Sequence, residues 1–223
     1  MANGTIAISQ LEILTQTGTG IITVVPPATN TNRTLTLPDA TTTVVGTDAT
    51  QTLTNKTLST GLVMGASATT SGTAVTSTSG TSIDFTSIPS WVKCITVMFS
   101  GVSTNGSGNY QIQIGSGSVT TSGYLGSTGY FTSGTAVAAA TAGFLIYNPS
   151  GAAVVAHGTS TLVLVNSATN TWAASSVMAS SQAAQMLFGA GSVSLGGALD
   201  RVRITTSTGT DTFDAGTINI LYE

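Results

Sequence analysis

Charge is the scarcest property of this sequence. Its 223 residues include five Lys or Arg and eight Asp or Glu, 6 % charged in all, against roughly 25 % in an ordinary soluble domain. Basic residues this few and scattered do not build the clustered footprint that displaces counterions from nucleic acid. The closest basic pair, Arg201 and Arg203, falls on one face of an expected strand. Scarce Glu, Lys and Arg also deprive helices of their usual solvent face. A single cysteine, Cys94, leaves no intrachain disulfide and no thiolate cluster. Its place in the apolar run from Trp91 to Phe99 suggests a buried, inert thiol. No stretch approaches the roughly 18 apolar residues of a membrane span. The start, Met1-Ala2-Asn3-Gly4-Thr5, lacks the basic and apolar regions of a secretion signal.

What replaces the charge is Ser, Thr, Gly and Asn, which suit strands and tight turns. Hydrophobic residues still make up 41 %, enough for a real core. The expected class is all-β. A surface with so little like-charge repulsion is compatible with burial against identical copies, which points to a homo-oligomer.

The chain divides into three parts. Residues 66–82 hold only small side chains and one valine, and form a linker or a thin extended strand. Before it, residues 1–65 contain no aromatic residue and alternate in short runs. These are Thr5 to Ile8, Leu11 to Leu14, Gly20 to Val25, Arg33 to Leu37, Thr43 to Val45 and Thr50 to Leu58. Their apolar positions, Ile6, Ile8, Leu11, Ile13, Leu14, Ile21 and Val24 among them, make faces too narrow to close a core within one copy. Three copies wound about an axis would bury them, so an extended, intertwined β shaft for attachment and trimerisation is expected.

Residues 83–223 carry all two Trp, five Tyr and six Phe. About ten short strands separated by turn signals fit a jelly-roll-like β-sandwich. Expected strands include Ser82 to Phe85, Val92 to Ser100, Ala152 to His157, Thr161 to Asn166, Thr171 to Met178, Asp200 to Thr206 and Gly216 to Tyr222. Ile95, Val97 and Phe99 share one face of theirs, and Cys94, Thr96 and Met98 the other. Gly191 marks an expected turn, and residues 177–187 are the one place where a short helix competes.

Little in this composition offers catalysis. His157 precedes Gly158 at a strand end and has no local nucleophile signature beside it. One His and one Cys are too few for a zinc site, and no cofactor is expected. Paired carboxylates run glycoside hydrolysis, and Asp200, Asp211 and Asp214 are the candidates. Their simpler roles are a turn residue, a strand end and an ion pair with Arg201 or Arg203. Binding is better supplied. The insert Thr121 to Thr135 places Tyr124, Tyr130 and Phe131 among Gly and Ser, with Asn105 and Trp172 on other expected loops. Such aromatics either stack on sugars at a receptor-contact surface or pack beneath their own loops or between subunits.

Two parts of the sequence resemble a known family. Leu35-Thr36-Leu37-Pro38-Asp39-Ala40-Thr41-Thr42-Thr43-Val44-Val45-Gly46, followed by Thr52-Leu53-Thr54-Asn55-Lys56-Thr57-Leu58, is similar to a repeat of tail fibre and related virion proteins of tailed bacteriophages. Thr81 to Lys93, with Leu199 to Thr205 and Asp211 to Ile220, resembles a C-terminal β module of phage fibre-type proteins. The resemblance implies a homotrimer in the virion, synthesised in the host cytoplasm and released by lysis. Its N-terminal part would attach to other virion proteins, of the tail or baseplate or the major capsid protein. Its sandwich would be displayed outward toward a host surface glycan or protein. No catalytic residue is implied. The chain is short for a tail fibre and shows no baseplate-adaptor domain at its start. Capsid decoration, as a cement protein or head fibre, is therefore the alternative, and a polysaccharide-degrading tailspike a third.

Overall fold

Period-two alternation of apolar and small polar residues runs through most of the chain, and the computed structural model is correspondingly built of strands. It describes residues 11–14, 21–24, 69–131, 135–147, 151–152, 154–182 and 185–223. The chain separates into two units, Met1–Thr60 and Gly61–Glu223. In the first, β1 (Leu11–Leu14) and β2 (Ile21–Val24) pair antiparallel, Leu11 opposite Val24 and Leu14 opposite Ile21. Five of the proposed attachment residues, Leu11, Ile13, Leu14, Ile21 and Val24, therefore lie on one antiparallel strand pair. Ile6 and Ile8, and the other strands expected before residue 66, lie outside the described residues.

The second unit holds β3 (Thr70–Ser71), β4 (Val75–Thr76), β5 (Ser82–Thr86), β6 (Cys94–Thr104), β7 (Tyr110–Ser116), β8 (Ser118–Val119) and β9 (Leu125–Phe131). It continues with β10 (Thr135–Ala140), β11 (Phe144–Tyr147), β12 (Ala156–Asn166), β13 (Thr171–Ser180), β14 (Met186–Ser194), β15 (Arg201–Thr206) and β16 (Phe213–Tyr222). They form two antiparallel sheets. The larger has nine strands, in the order β10-β9-β14-β13-β12-β6-β16-β3, with β4 also on β16. The smaller runs β11-β7-β15-β5, with β8 on β7. No helix occurs among the described residues. In the stretch 177–187, β13 continues to Ser180 and β14 starts at Met186, so strands prevail there.

The core is what alternation demands. Ile95, Val97 and Phe99 are buried, while Cys94, Thr96 and Met98 on the opposite face of β6 are half-buried. Ile218 and Ile220 do the same on β16. From the smaller sheet, Ile112, Ile114, Val202 and Ile204 are fully buried. Each such aliphatic side chain contributes about 1.5–3 kcal/mol when taken from water.

Three expectations are corrected. The strands expected at Ala152 to His157 and Thr161 to Asn166 are one strand, β12, running through Gly158. Gly158 has φ 145°, and a Cβ there would lie 2.2 Å from the Val177 carbonyl oxygen. It allows a register shift against β6 and a close approach by β13 without ending the strand. Gly191 is likewise no turn. It sits within β14 opposite Gly126, whose Cα-side approach leaves no room for a Cβ. Finally, the insert Thr121 to Thr135 is largely strand, because β9 is hydrogen-bonded to β14 on one side and to β10 on the other.

The small-residue segment continues the sandwich. β3 and β4 pair with β16, and buried Ser77 donates its hydroxyl to the Ala215 carbonyl at 2.7 Å and its N–H to Gly216 at 2.9 Å. Side chains this small let the backbone lie flat against the sheet edge.

Candidate functional site

The proposed contact residues do not converge. Asn105 follows β6 at one end of the larger sheet. Trp172 lies at the other end, opposite Leu164, one position from where β12 pairs with Cys94. The eleven residues of β6 separate these ends by roughly 30 Å. Tyr130 and Phe131 lie within β9, paired with Leu187 and Met186, so they belong to a sheet and not to a loop.

Tyr124 and Trp172 are corrected as surface contacts. They are 1 % and 2 % exposed, and a ring at that depth offers no face to a receptor. The Tyr124 hydroxyl accepts from the Ile114 N–H at 2.8 Å and faces the Thr120 carbonyl at 3.1 Å. Its ring meets Phe144 edge-on at 4.9 Å. Tyr124 thus anchors the approach to β9 on β7. Trp172 walls a cleft of about 170 Å³ with Lys93, Ser167, Asn170 and Leu199. Both rings are packed inside the sandwich.

Asn105 is exposed but committed. Its N–H donates to the Thr212 carbonyl at 2.9 Å, and its Oδ1 accepts from the Thr212 N–H at 2.8 Å. Beside it, Asp211 Oδ2 accepts from the Gly108 N–H at 2.7 Å, and Asn109 and Ser207 exchange backbone and hydroxyl bonds. The β6–β7 and β15–β16 loops are therefore laced into one polar tip. That tip is pre-ordered, which lowers the entropy cost of any contact made there.

The other carboxylates are engaged as well. Asp214 accepts from the Ser103 hydroxyl. Asp200 pairs with Arg201 at 2.7 Å and accepts from the Gly117 N–H at 3.1 Å. The Arg201 hydrogen bond foremost holds the Asp200 carboxyl below its ordinary range. Asp84 receives Arg203 through two bonds, at 2.7 and 3.0 Å. A general acid in a glycosidase needs a raised pKa; Asp200 is shifted the opposite way. His157 accepts the Gly101 N–H at Nδ1, near the start of β12 in the interior of the larger sheet. Among the described residues no cluster of three His, Cys, Asp or Glu could hold a metal. Cys94 is half-buried and not fully buried as its run suggested. Burial, then the Glu223 carboxylate, raises its pKa and keeps the thiol protonated.

Sequence reasoning passed over two surface features. Trp91, taken as the start of an apolar run, is 53 % exposed and leans on Tyr222 at 5.9 Å. The second is the outward face of the larger sheet, where Val163, Val177, Met186 and Phe188 are exposed. Trp91 falls in the turn before β6, and the sheet face belongs to alternating strands, whose alternation alone does not say which side meets solvent.

Burial also sets an alkaline limit. Tyr110 and Tyr124 are pushed up to about 12, in both cases foremost by desolvation. A folded pKa above the unfolded value of roughly 10 means stabilisation that is complete below pH 10. It is lost as pH rises through about 12. In a spectrophotometric titration, the phenolate absorbance of these two residues should lag that of the denatured chain. Their ionisation should coincide with loss of β-sheet circular dichroism.

Comparison with protein-family models, with curated proteins and with solved structures finds no match to this chain.

Proposed function

We propose that the chain is a non-enzymatic structural protein of a bacteriophage virion, a short trimeric fibre or spike. In this reading a jelly-roll-like C-terminal body faces the host surface, and residues 1–65 join it to the particle. The supporting observation is how the fibre-like sequence segments lie in space. Thr81 to Lys93 contains β5, and Leu199 to Thr205 contains most of β15. These two strands pair directly, Phe85 opposite Val202 and Ile83 opposite Ile204. Arg203 closes on Asp84 across them, and the Ile88 N–H donates to the Asp200 carbonyl at 3.0 Å. Segments over a hundred residues apart in sequence thus make one continuous patch, as parts of a single inherited module would.

Binding in such a protein is multivalent. Three weak sites carried on one stalk raise avidity by orders of magnitude without any new contact. The laced tip around Asn105 and the exposed Trp91 are the surfaces best suited to it, and no ionic contact with nucleic acid or membrane insertion enters. Capsid decoration keeps the same fold and assembly and differs in address.

The test is location. Antibody labelling or cryo-EM of intact particles of the encoding phage should place the protein at the tail, on a baseplate or fibre tip. Label distributed over the head would replace the fibre role with decoration. Particles free of the protein would overturn the virion assignment altogether.

A further inference from the structure

The exposed apolar side chains of the sandwich are not scattered. Val163 and Val165 on β12, Val177 on β13, Met186 and Phe188 on β14 and Leu125 on β9 are each at least 41 % exposed. All six belong to four adjacent strands of the larger sheet. The register makes them neighbours: Val177 is directly opposite Phe188, and Met186 is opposite Ala179. Other outward positions include Thr159, Ser175 and Ala190, and His157, exposed opposite Ala179, shares the face. No Asp, Glu, Lys or Arg occurs anywhere in β9, β12, β13 or β14. The charged residues of this unit lie on or beside the smaller sheet, or at strand ends; Lys93, whose carbonyl accepts from the Leu164 N–H, and Glu223, beside Cys94, stand at one corner of this face.

We infer that this face is where copies of the chain meet, its occupant being the same face of a second copy. The inference deepens the homotrimer reading and rests on it. Two arguments select the occupant. The first is charge. A charged side chain placed against this sheet would lose its hydration with no counter-charge to receive it, at a cost of several kcal/mol. The partner surface must therefore be equally free of charge. Few protein surfaces are, but this chain supplies one. The second is area. Five strands about 4.8 Å apart, from β9 to β6, and about nine residues long at roughly 3.4 Å each give a plan area of roughly 700 Å². A standard stable interface removes about 800 Å² of accessible surface per partner, so the face, shared between the two neighbours it would meet in a trimer, supplies each copy with about one standard interface in all. In a trimer, three such sheets would turn toward a common axis, with the Val177–Phe188 pair among the buried contacts.

Light scattering on the purified full-length chain, with Val163→Glu and Val177→Glu made together, tests this. Both side chains face outward, so the variant should keep its β-sheet circular dichroism. Wild type should have three times the 22.2 kDa chain mass, and the variant, left with the contacts of residues 1–65 alone, should dissociate at concentrations at which wild type stays intact. Thr86→Glu, on the exposed face of the smaller sheet, should leave the mass unchanged. Wild-type trimer with an equally trimeric double variant would overturn the inference and leave the homotrimer reading standing. A monomeric wild type would overturn both. If the variant does not fold, peroxide oxidation of the wild-type chain decides. Met186, half exposed in a single copy, should lose most of its reactivity in the assembly. Oxidation as fast as in the denatured chain, or protection seen only inside whole particles, would overturn the inference.

Discussion

Replacing Trp172 by alanine is expected to destabilise the sandwich by about 3–5 kcal/mol, lowering the melting temperature by on the order of 10 °C at fixed protein concentration. Trp172 is among the largest fully buried side chains, held between Leu164 and Val193 on the neighbouring strands. Its removal leaves a cavity that two hydrogen-bonded partner strands have little freedom to fill. Trp172→Phe should cost distinctly less, since the indole Nε1 has no hydrogen-bond partner among the described residues and only ring volume is lost. Thermal denaturation followed by circular dichroism measures both. Fluorescence adds a check on placement, because the exposed Trp91 alone would remain in Trp172→Ala, and the emission should shift to the red. A Trp172→Ala chain as stable as wild type would mean that the ring lies at the surface, where a receptor contact would need it.

The second large effect is expected at Gly216. This residue has φ 97° and sits where β16 shifts register against β6. A Cβ there would lie 2.4 Å from the Gly101 carbonyl oxygen and 2.6 Å from the Val102 Cα. These are backbone atoms of the adjoining strand and cannot swing away. Gly216→Ala therefore combines a disfavoured backbone conformation, costing about 1–3 kcal/mol, with overpacking of a similar size. The expected result is a loss of about 3 kcal/mol or more in denaturant unfolding. Because Gly216 also holds Ser77 through its carbonyl, limited proteolysis of the variant should cut first near residues 70–77. A variant of wild-type stability, uncut there, would contradict the register shift.

Most of the sandwich was legible because alternation is a direct record of a half-buried strand. The facing of Cys94 to Phe99 could be read from the residues alone. What misled was glycine. In Gly158 and Gly191 the same residue that usually ends a strand permits two strands to approach closely, and a linear reading cannot tell these uses apart. The insert after Thr121 failed for a related reason. Its Gly and Ser look like loop composition, yet β9 acquires its partners, β10 and β14, only through long-range pairing. The same blindness affected the candidate contacts. Tyr124 and Trp172 stood among small polar residues and looked exposed, but their burial comes from Phe144, Leu164 and Val193, whose positions a sequence does not supply. The outward face of the larger sheet was hidden in another way. Each strand shows one or two apolar residues on its solvent side, unremarkable alone, and only the register sets Val177 beside Phe188. The resemblance to fibre proteins, in contrast, was carried by local strings, and the structure brings two of them together as β5 and β15.

The measurement that bears most directly on the proposed role is the mass of the full-length chain in solution, by light scattering across a range of concentrations. Under the proposed fibre role, the chain should hold a constant mass of three chains of 22.2 kDa down to the lowest concentration measured. A stable single chain would contradict the fibre reading, since neither a shared stalk nor multivalent attachment survives without copies to share it.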